Sequence, residues 1–416
     1  METRRLDELC VQITDCPHST PQWLSSGKLV LRNFNIHNGR IDLSNVSYTD
    51  DETFFARNKR ATPIPGDIVM SREAPMGEVA IIPNGFECCL GQRMVLLHPD
   101  ATVCNGKFLM YSLLSPFVQK QIKRSDTTGS VVSNLCIPDL CALEIPYVNI
   151  ERQEYIVALL SDIDAKIDNN NAIAAELEGM AKDLYDYWFV QFDFPDEHGK
   201  PYKSSGGKMV WNDELKREIP EGWEATGMGS ICSVLSGYPF ESKSYNSAGK
   251  FSIMTIKNIQ DGYIEPNTDS KICKIPSDIQ KEYVLHSGNI LMSLTGNVGR
   301  VGILCKDDCL LNQRAAVVLP AIIEQRGFVY FLCRSKTIFE KIQHIATGTS
   351  QKNVSPSDIH KILIPYNNDV ASMFSRKVDC LIQGIINCNR LNQDLASLRD
   401  FLLPMLMNGQ VKVKGA

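Results

Sequence analysis

The same sequence pattern occurs twice in this chain of 416 residues, and the duplication constrains the fold more than any other feature. Three segments return in the same order: 35–41 as 258–264, 66–71 as 288–293, and 90–93 as 311–314. The separation between equivalent residues falls from 223 (35 to 258) through 222 (66 to 288) and 221 (90 to 311) to 219 (129 to 348). Because the order never changes, two collinear copies with a few small loop deletions are indicated. A period this long is typical of a duplicated domain and not of a solenoid repeat.

Each copy has the same internal plan, which predicts the fold class. Short strand-like runs alternate with Asn-Gly and Pro-Gly turns, and apolar residues at helical spacing follow near 108–122 and 328–342. A Gly-Ser or Gly-Thr loop and a short strand ending in Ile-Pro-Tyr complete each copy. We therefore expect two homologous α+β domains at 1–150 and 222–368. The segment 191–221 is rich in Pro, Gly, Lys and Ser, shows no strand alternation, and is expected to be a polar connector.

A long helix is predicted after each domain, at 151–190 and 369–408. Apolar residues step by alternating threes and fours over more than four heptads, which is the pattern of a coiled-coil seam. A single helix packed on its own domain would give a similar stripe, but a register kept twice at matched positions favours an antiparallel helix pair with pseudo-twofold symmetry. The seam residues, equivalent at a spacing of 218, are Ile156, Leu160, Ile163, Ile167, Asn170, Ala174, Leu177, Ala181, Leu184 and Trp188, then Phe374, Val378, Leu381, Ile385, Cys388, Asn392, Leu395, Arg399, Leu402 and Leu406.

Two asparagines, Asn170 and Asn392, interrupt the apolar seam. Buried asparagines in coiled coils fix register and partner orientation. Asparagine is also common on solvated helix surfaces, and the sequence leaves both interpretations open. Pro404 has no N–H for the helical ladder, so we expect it to kink or end the second helix.

Composition excludes several classes of protein. The 14 cysteines form no Cys-x-x-Cys pair and the 7 histidines are scattered, so we expect no metal site. No apolar run approaches the roughly 18 residues of a membrane span, and no secretory signal is visible, so a cytoplasmic protein with reduced thiols is expected. The net charge of -5 is unusual for a protein that binds nucleic acid. Such a chain would need its basic residues on one face or positive charge from a partner.

Two similar domains and two long helices suit the dimensions of DNA. A helix of 35–40 residues is roughly 50–60 Å long, and one turn of duplex measures about 34–36 Å. The two copies share a frame but differ in most loop residues. Identical domains would read a palindrome, so this pair is expected to read two different half-sites at a fixed spacing.

Three further segments carry a resemblance to a known family. They are 145–156 (IPYVNIERQEYI), the connector 199–210 (GKPYKSSGGKMV) with 219–223 (IPEGW), and the tail 402–409 (LLPMLMNG). In this order, and with the duplication, the chain resembles the specificity subunit of type I restriction-modification systems along essentially its whole length. The second Ile-Pro-Tyr departs from the pattern, because Asn-Asn-Asp follows it and the Glu-x-Gln found after the first is missing.

The resemblance implies a function. Each domain would be a target-recognition domain that reads one half of a bipartite, asymmetric target in double-stranded DNA. The helix pair would set the spacing and dock two modification (methyltransferase) subunits, and restriction subunits would join in the full complex. The chain would be non-catalytic, the specificity component of a DNA adenine methyltransferase and ATP-dependent site-specific endonuclease. No cofactor would bind to this chain, since S-adenosylmethionine, ATP and Mg²⁺ would bind to partner subunits.

Candidate DNA-contacting residues lie in loops at equivalent places of the two copies. Arginine reaches guanine, amide side chains reach adenine, and lysines, hydroxyls and loop amides reach phosphates. The loop at Arg72 differs from the equivalent loop at Thr295, as different half-sites require, whereas the Gln-Arg of 92–93 repeats at 313–314 and is assigned to phosphates or to the fold. The full set is Arg32, Arg40, Arg57, Lys59, Arg60, Arg72, Glu73, Arg93, Thr128, Ser130, Lys257, Thr295, Asn297, Arg300, Arg314, Thr349, Ser350 and Lys352.

Two other functions are weighed against this one. A nuclease has one formal match, Pro195-Asp196 followed by Glu214-Leu215-Lys216, but that chemistry needs carboxylates on adjacent strands around a divalent ion, and these residues lie in the connector. A coiled-coil adaptor without sequence reading explains the helices but not the different loops. A methyltransferase or ATPase is not indicated, because the sequence lacks the S-adenosylmethionine loop, the Asn/Asp-Pro-Pro-Tyr/Phe motif and a phosphate loop.

Overall fold

The computed structural model describes residues 2–125, 134–348, 351–407 and 410–411. The chain divides into two compact units, one formed by Met1–Lys166 with Asp394–Ala416 and the other by Ile167–Gln393. The division passes through both long helices, so each unit contains one globular domain and a part of each helix. The two units are described separately.

The first domain is a mixed α+β structure around an antiparallel sheet. Its elements are β1 (Thr3–Arg5), β2 (Cys10–Asp15), β3 (Lys28–Leu31), β4 (Ile36–His37), β5 (Arg40–Ile41), β6 (Ser47–Thr49), α1 (Asp51–Arg57), β7 (Ile68–Ser71), β8 (Val79–Ile81), β9 (Cys89–Leu90), β10 (Met94–Pro99), α2 (Gly106–Leu114), α3 (Pro116–Arg124), α4 (Ile137–Cys141) and β11 (Glu144–Pro146). The main sheet has the order β2-β10-β7-β8, and β3 pairs with β6 and β9 in a second sheet. Buried side chains of β7, β10, α2 and α3 form the core between the main sheet and the helices.

The connector is more ordered than the sequence suggests. After α5 (Ile150–Tyr185) and a π-helical turn (Asp186–Val190), the chain forms a hairpin of β12 (Met209–Asn212) and β13 (Arg217–Pro220). Phe194 stacks on Tyr202 with ring centroids 4.8 Å apart. The expectation of a segment without strands is therefore wrong, because the aromatic side chains of the connector pack on one another and join the buried core of the second unit.

The second domain repeats the first. Its elements are β14 (Glu224–Gly227), α6 (Met228–Ile231), β15 (Cys232–Ser236), β16 (Phe251–Met254), β17 (Gly262–Tyr263), β18 (Lys271–Ile272), β19 (Val284–Leu285), β20 (Ile290–Ser293), β21 (Val301–Ile303), β22 (Cys309–Leu311), β23 (Ala315–Pro320), α7 (Arg326–Arg334), α8 (Lys336–Ile345), α9 (Pro356–His360) and β24 (Leu363–Tyr366), followed by the long helix α10 (Asn368–Met407). The main sheet order β15-β23-β20-β21 matches that of the first domain, with β17 added at the edge. The predicted duplication is confirmed at the level of the fold.

The helical stretch predicted in each copy is two helices. Ser115 separates α2 from α3, and its Oγ accepts a hydrogen bond from the amide of Val118 (3.4 Å). Ser335 separates α7 from α8 and caps the amide of Ile338 in the same way (3.3 Å). A serine N-cap satisfies an amide that has no partner inside the helix, so a new helix begins at the same place in both domains.

Helices α5 and α10 are antiparallel where they pack. In the first unit Asp164 lies beside Arg399, with Oδ1 and Nη1 2.9 Å apart. In the second unit Asn170 contacts Asn392, and a residue earlier on α10, Phe374, contacts the later Tyr185 of α5, with ring centroids 5.8 Å apart. The predicted antiparallel pair is thus confirmed. Pro404 was expected to kink or end the second helix. It does not end the helix, because α10 continues to Met407.

The predicted seam residues are all buried or half-buried. Further residues of α10, among them Ile382, Ile386 and Leu403, are buried as well. The two polar positions meet, since Asn170 Nδ2 donates to Asn392 Oδ1 (2.9 Å). Among the described residues, no helix is both long and apolar enough to cross a membrane.

A buried glutamine connects each long helix to its domain. The glutamine belongs to the helix in the first unit and to the domain in the second. In the first unit Gln153 of α5 donates to the carbonyl of Val103 (3.0 Å) in the loop before α2. In the second unit the glutamine comes from the domain, because Gln325, just before α7, donates to Ser372 Oγ (2.9 Å) and Asn368 Oδ1 (2.9 Å) of α10. The second copy lacks the Glu-x-Gln on its long helix, and a glutamine of the domain makes the equivalent contact.

The equivalent positions Asp67 and Asn289 predict an effect of pH on the free energy of unfolding. Asp67 is buried beside His98, where burial raises the pKa of the carboxyl group, and the neutral Asn289 stands at the equivalent position of the second domain. A raised pKa means that the stabilisation is complete below the unfolded value of about 3.9 and is lost as the pH rises through the folded value. We expect Asp67→Asn to raise the free energy of unfolding relative to wild type, by an amount that grows from pH 4 to pH 7.

Urea denaturation of the full-length chain across this pH range measures the effect. Asp100→Asn is the matched control, because hydrogen bonds from Thr102 lower the pKa of Asp100 and give the pH dependence the opposite sign. Parallel pH profiles for Asp67→Asn and wild type would contradict the prediction.

Candidate nucleic-acid interface

A short loop follows a central strand of the main sheet in each domain. We call residues 72–78, after β7, the first tip loop and residues 294–300, after β20, the second tip loop. The amide of Gly77 donates to the carbonyl of Ser71 (2.9 Å), and the amide of Gly299 donates to the carbonyl of Ser293 (2.9 Å). Both glycines have positive φ, 90° and 83°, which glycine adopts without strain. The two tip loops share one backbone frame.

The repeated Gln-Arg turn lies beside the tip loop in each domain. The amide of Arg72 donates to the carbonyl of Arg93 (2.8 Å), and the amide of Leu294 donates to that of Arg314 (3.2 Å). In the first domain an ion pair adds to this contact, with Glu73 Oε2 3.2 Å from Arg93 Nε. The structure thus brings together two segments that the sequence analysis selected separately.

A third segment completes the arrangement. The amide of Leu135 donates to the carbonyl of the first residue of the first tip loop (3.1 Å), and the amide of Val354 makes the equivalent bond in the second domain (3.0 Å). Both residues follow the Gly-Ser or Gly-Thr loop of their copy. Four predicted residues of those loops lie outside the described residues: Thr128, Ser130, Thr349 and Ser350.

Two predicted arginines belong to the fold. Arg72 is buried, its Nε donates to the carbonyl of Leu135 (2.8 Å), and its Nη1 pairs with Asp15 Oδ1 (2.5 Å). Arg57 is also buried, and its guanidinium donates to three backbone carbonyls at 2.7–2.9 Å, while burial lowers its pKa. A buried guanidinium whose N–H groups bind the protein is not available to a phosphate or a base. The assignment of these two residues to DNA contact is therefore corrected.

Several other predicted residues contact their own unit through their side chains. The contacts are Arg40 Nη2 to Asp164 O (3.4 Å), Arg300 Nη1 to Gln260 Oε1 (2.7 Å), Thr295 Oγ1 to Asn353 Oδ1 (2.7 Å) and Lys352 Nζ to Gln343 Oε1 (3.0 Å). The exposed predicted residues are Lys59, Arg60, Arg93, Lys257, Asn297, Arg314 and Lys352. These side chains reach solvent, although Arg93 and Lys352 also contact Glu73 and Gln343.

Arg32 has surroundings that the sequence did not reveal. Its guanidinium carbon lies 4.7 Å from the ring centroid of Trp23 and 4.5 Å from that of Phe34. Trp23 is 42% exposed, so this cluster reaches the surface. Neither ring was among the predicted site residues, because nothing in their spacing connects them to the arginine.

The formal nuclease match is not assembled into a metal site. Asp196 Oδ1 accepts hydrogen bonds from the amides of His198 and Lys200 (2.8 Å each), which is a turn-capping role. Glu214 lies in the turn between β12 and β13. Within the described part of the chain, no group of three or more His, Cys, Asp or Glu side chains is placed to hold a metal ion.

Comparison with known proteins agrees with the duplicated fold. The type I restriction modification DNA specificity domain matches residues 1–179 and 220–368. The MjaIX specificity subunit of Methanocaldococcus jannaschii is 28% identical over 354 residues, which cover 84% of this chain and 78% of that protein. The HindI specificity subunit of Haemophilus influenzae is 20% identical over 398 residues, covering 83% of this chain and 86% of that protein.

A solved structure has a similar fold. The type I restriction-modification S subunit from M. genitalium superposes with a TM-score of 0.52 at 18% identity, over 97% of this chain and 95% of that chain. The family match covers both domains and accounts for the duplication seen first in the sequence. The chain belongs to the family of type I restriction-modification DNA specificity subunits.

Proposed function

We propose that the two domains of this specificity subunit read two different halves of one DNA target. The observation that carries the proposal is the pair of tip loops, which share hydrogen bonds and positive-φ glycines but differ in side chains. The first tip loop is Arg-Glu-Ala-Pro-Met-Gly-Glu and the second is Leu-Thr-Gly-Asn-Val-Gly-Arg. Different side chains in one frame are what two unlike half-sites require, since base edges are read by side chains.

The exposed basic residues support the same assignment. Arg93 and Arg314 lie on equivalent turns beside the two tip loops, and both are exposed. A residue repeated in both domains suits the phosphate backbone, which is the same in every sequence. The net charge of -5 is compatible with this proposal because the cations next to the loops, and not the charge of the whole chain, meet the DNA.

Exposed apolar residues on the long helices support docking of modification subunits. In the second unit Ile173, Met180 and Tyr187 follow each other at seven-residue steps on and just after α5, with 41%, 58% and 36% of their surface exposed. In the first unit Leu398 and Phe401 of α10 are 45% and 62% exposed. Large apolar side chains on a helix surface are typical of a protein interface. Methyltransferase subunits that carry S-adenosylmethionine, with restriction subunits that use ATP and Mg²⁺, are the partners we propose.

Single-molecule sequencing of DNA from cells that express this chain with its modification subunit tests the proposal. We expect methylated adenines in a two-part motif with a fixed gap, and no such motif when this chain is omitted. An assembled complex that methylates without any motif would support the coiled-coil adaptor and overturn the reading function.

A motif with only one defined half would mean that one of the domains does not read sequence. Exchange of the second domain for that of another family member is the matched control, since only the second half of the motif should then change.

A further inference from the structure

We infer that Arg32 is the residue of the first domain that reads a guanine in the first half-site, an inference that rests on the proposed reading function. The side chain combines three features that no other arginine described in this domain shares. Its guanidinium lies over two aromatic rings, no carboxylate among the described residues pairs with it, and the segment that carries it contacts the first tip loop.

The aromatic rings restrict the guanidinium without using up its hydrogen-bond donors. The guanidinium carbon is 4.7 Å from the Trp23 ring centroid and 4.5 Å from the Phe34 ring centroid. The hydrogen bond its side chain makes is a long one, from Nη1 to Ser47 Oγ (3.4 Å). A stacked guanidinium keeps its planar set of N–H donors. Restriction before binding lowers the entropy lost when two of those donors bind the O6 and N7 atoms of guanine.

Other arginines of the domain have protein partners. Arg72 and Arg57 are buried, and Arg93 pairs with Glu73. Arg5 pairs with Asp7, with Nη2 and Oδ2 2.6 Å apart. Arg4 also stacks on a ring, that of Tyr147 (3.6 Å), but it lies on β1, which pairs with β11, whereas the segment of Arg32 contacts the first tip loop.

The tip loop lies next to this arginine. Asn33 Nδ2 donates to the carbonyl of Ala74 (2.7 Å) and to that of Glu73 (3.3 Å). The second domain keeps this neighbourhood, because a Cβ placed on Gly296 would lie 3.9 Å from Ile256, the equivalent of Asn33. The chain segment that carries Arg32 in the first domain, and Thr255 in the second, thus contacts the tip loop.

The second domain has the same turn with different side chains. The amide of Arg32 donates to Asn35 Oδ1 (3.0 Å), and the amide of Thr255 donates to Asn258 Oδ1 (2.9 Å). The frame is the same, but threonine replaces the arginine, and Lys257 replaces Phe34. A phosphate contact would suit both domains equally, as the repeated Gln-Arg turn does. A residue that changes within a shared frame fits a contact to a base, which differs between half-sites.

The experiment compares wild type, Arg32→Lys and Arg32→Ala as full complexes with the modification subunits, on a DNA library randomised in both half-sites. Sequencing of the methylated products gives the preference at each position. We expect one guanine position of the first half-site to lose about 5- to 150-fold in discrimination in both variants. Lysine keeps the charge but not the planar fork that stacks on the two rings, so it should not restore the preference. The second half-site should stay unchanged, which shows that the complex is folded.

Three results would overturn the inference. An unchanged guanine preference in both variants would show that Arg32 does not read a base. Loss of discrimination in Arg32→Ala at a position that is not a guanine would place the residue on another base, and uniform weakening at every position would assign it to phosphate binding. Arg60→Ala, an exposed arginine of the same domain, is the matched control for a loss of charge alone. A wild-type complex that methylates no two-part motif would refute the proposed function itself. A two-part motif that is the same in wild type and in both variants would refute only the inference about Arg32.

Discussion

Alanine at Phe374 should lower the free energy of unfolding of the second unit by about 3–5 kcal/mol. The side chain is fully buried, and its ring lies 5.3–5.8 Å from the rings of Tyr185, Trp188 and Phe189. Tyr185 ends α5, Trp188 and Phe189 lie in the π-helical turn that follows it, and Phe374 stands in the second turn of α10. The substitution removes aromatic contacts worth about 0.5–1.5 kcal/mol each beyond the buried area, and it leaves a cavity where the two helices meet. Because Trp188 belongs to the cluster, tryptophan fluorescence during urea denaturation of the full-length chain reports the loss directly.

Phe401→Ala is the matched control on the same helix. Phe401 is 62% exposed, so its loss should change the free energy of unfolding by less than about 0.5 kcal/mol. If the exposed apolar residues dock a modification subunit, Phe401→Ala should instead weaken the assembly measured by size-exclusion chromatography with that subunit. Equal denaturation midpoints for the two variants would show that the aromatic cluster does not hold the helices together.

The parts of this fold that could be predicted from the sequence are those with a period. The duplication is a comparison of the chain with itself, and the helix seam depends on a spacing that tertiary contacts do not alter. Both predict the antiparallel pair with Asn170 and Asn392 as its polar positions, and the structure brings these two side chains into contact. The connector was missed because its aromatic residues, such as Phe194 and Tyr202, follow no period. Their stacking depends on turns that bring distant positions together.

The candidate interface was predicted only in outline. The duplication marks the tip loops and the Gln-Arg turns each as equivalent in the two domains, but nothing in the sequence indicates that they are neighbours. The burial of Arg72 was missed, since a buried arginine depends on partners supplied by residues 57 and 63 positions away, Asp15 and Leu135. The second copy does indicate that position 72 is buried. Leu294 at the equivalent position is apolar and 3% exposed, and a position that accepts leucine in one copy is a buried position in both.

Arg72→Leu should destabilise the chain by about 3 kcal/mol, because the carbonyl of Leu135 loses its donor and Asp15, whose side chain is only 25% exposed, is left with the exposed His18 (3.1 Å) in place of the buried guanidinium. The second domain shows how the same frame is satisfied without an ion pair. Asp15 pairs with Val95 in the sheet, and Ser236 pairs with the equivalent Ala316. The second domain therefore combines leucine on the tip loop with serine on the strand.

The double variant Asp15→Ser with Arg72→Leu recreates that combination in the first domain and should recover most of the lost stability. Urea denaturation of the full-length chain, followed by circular dichroism, gives the free energies for wild type, the single variants and the double variant. A strong coupling between the two sites is expected, since replacing both partners of a buried ion pair costs little where removing one costs much. A single Arg72→Leu variant that denatures like wild type but methylates a changed first half-site would return Arg72 to the base-reading residues. Loss of stability with an unchanged motif would instead place Arg72 in the fold, where its side chain holds the first tip loop to the sheet.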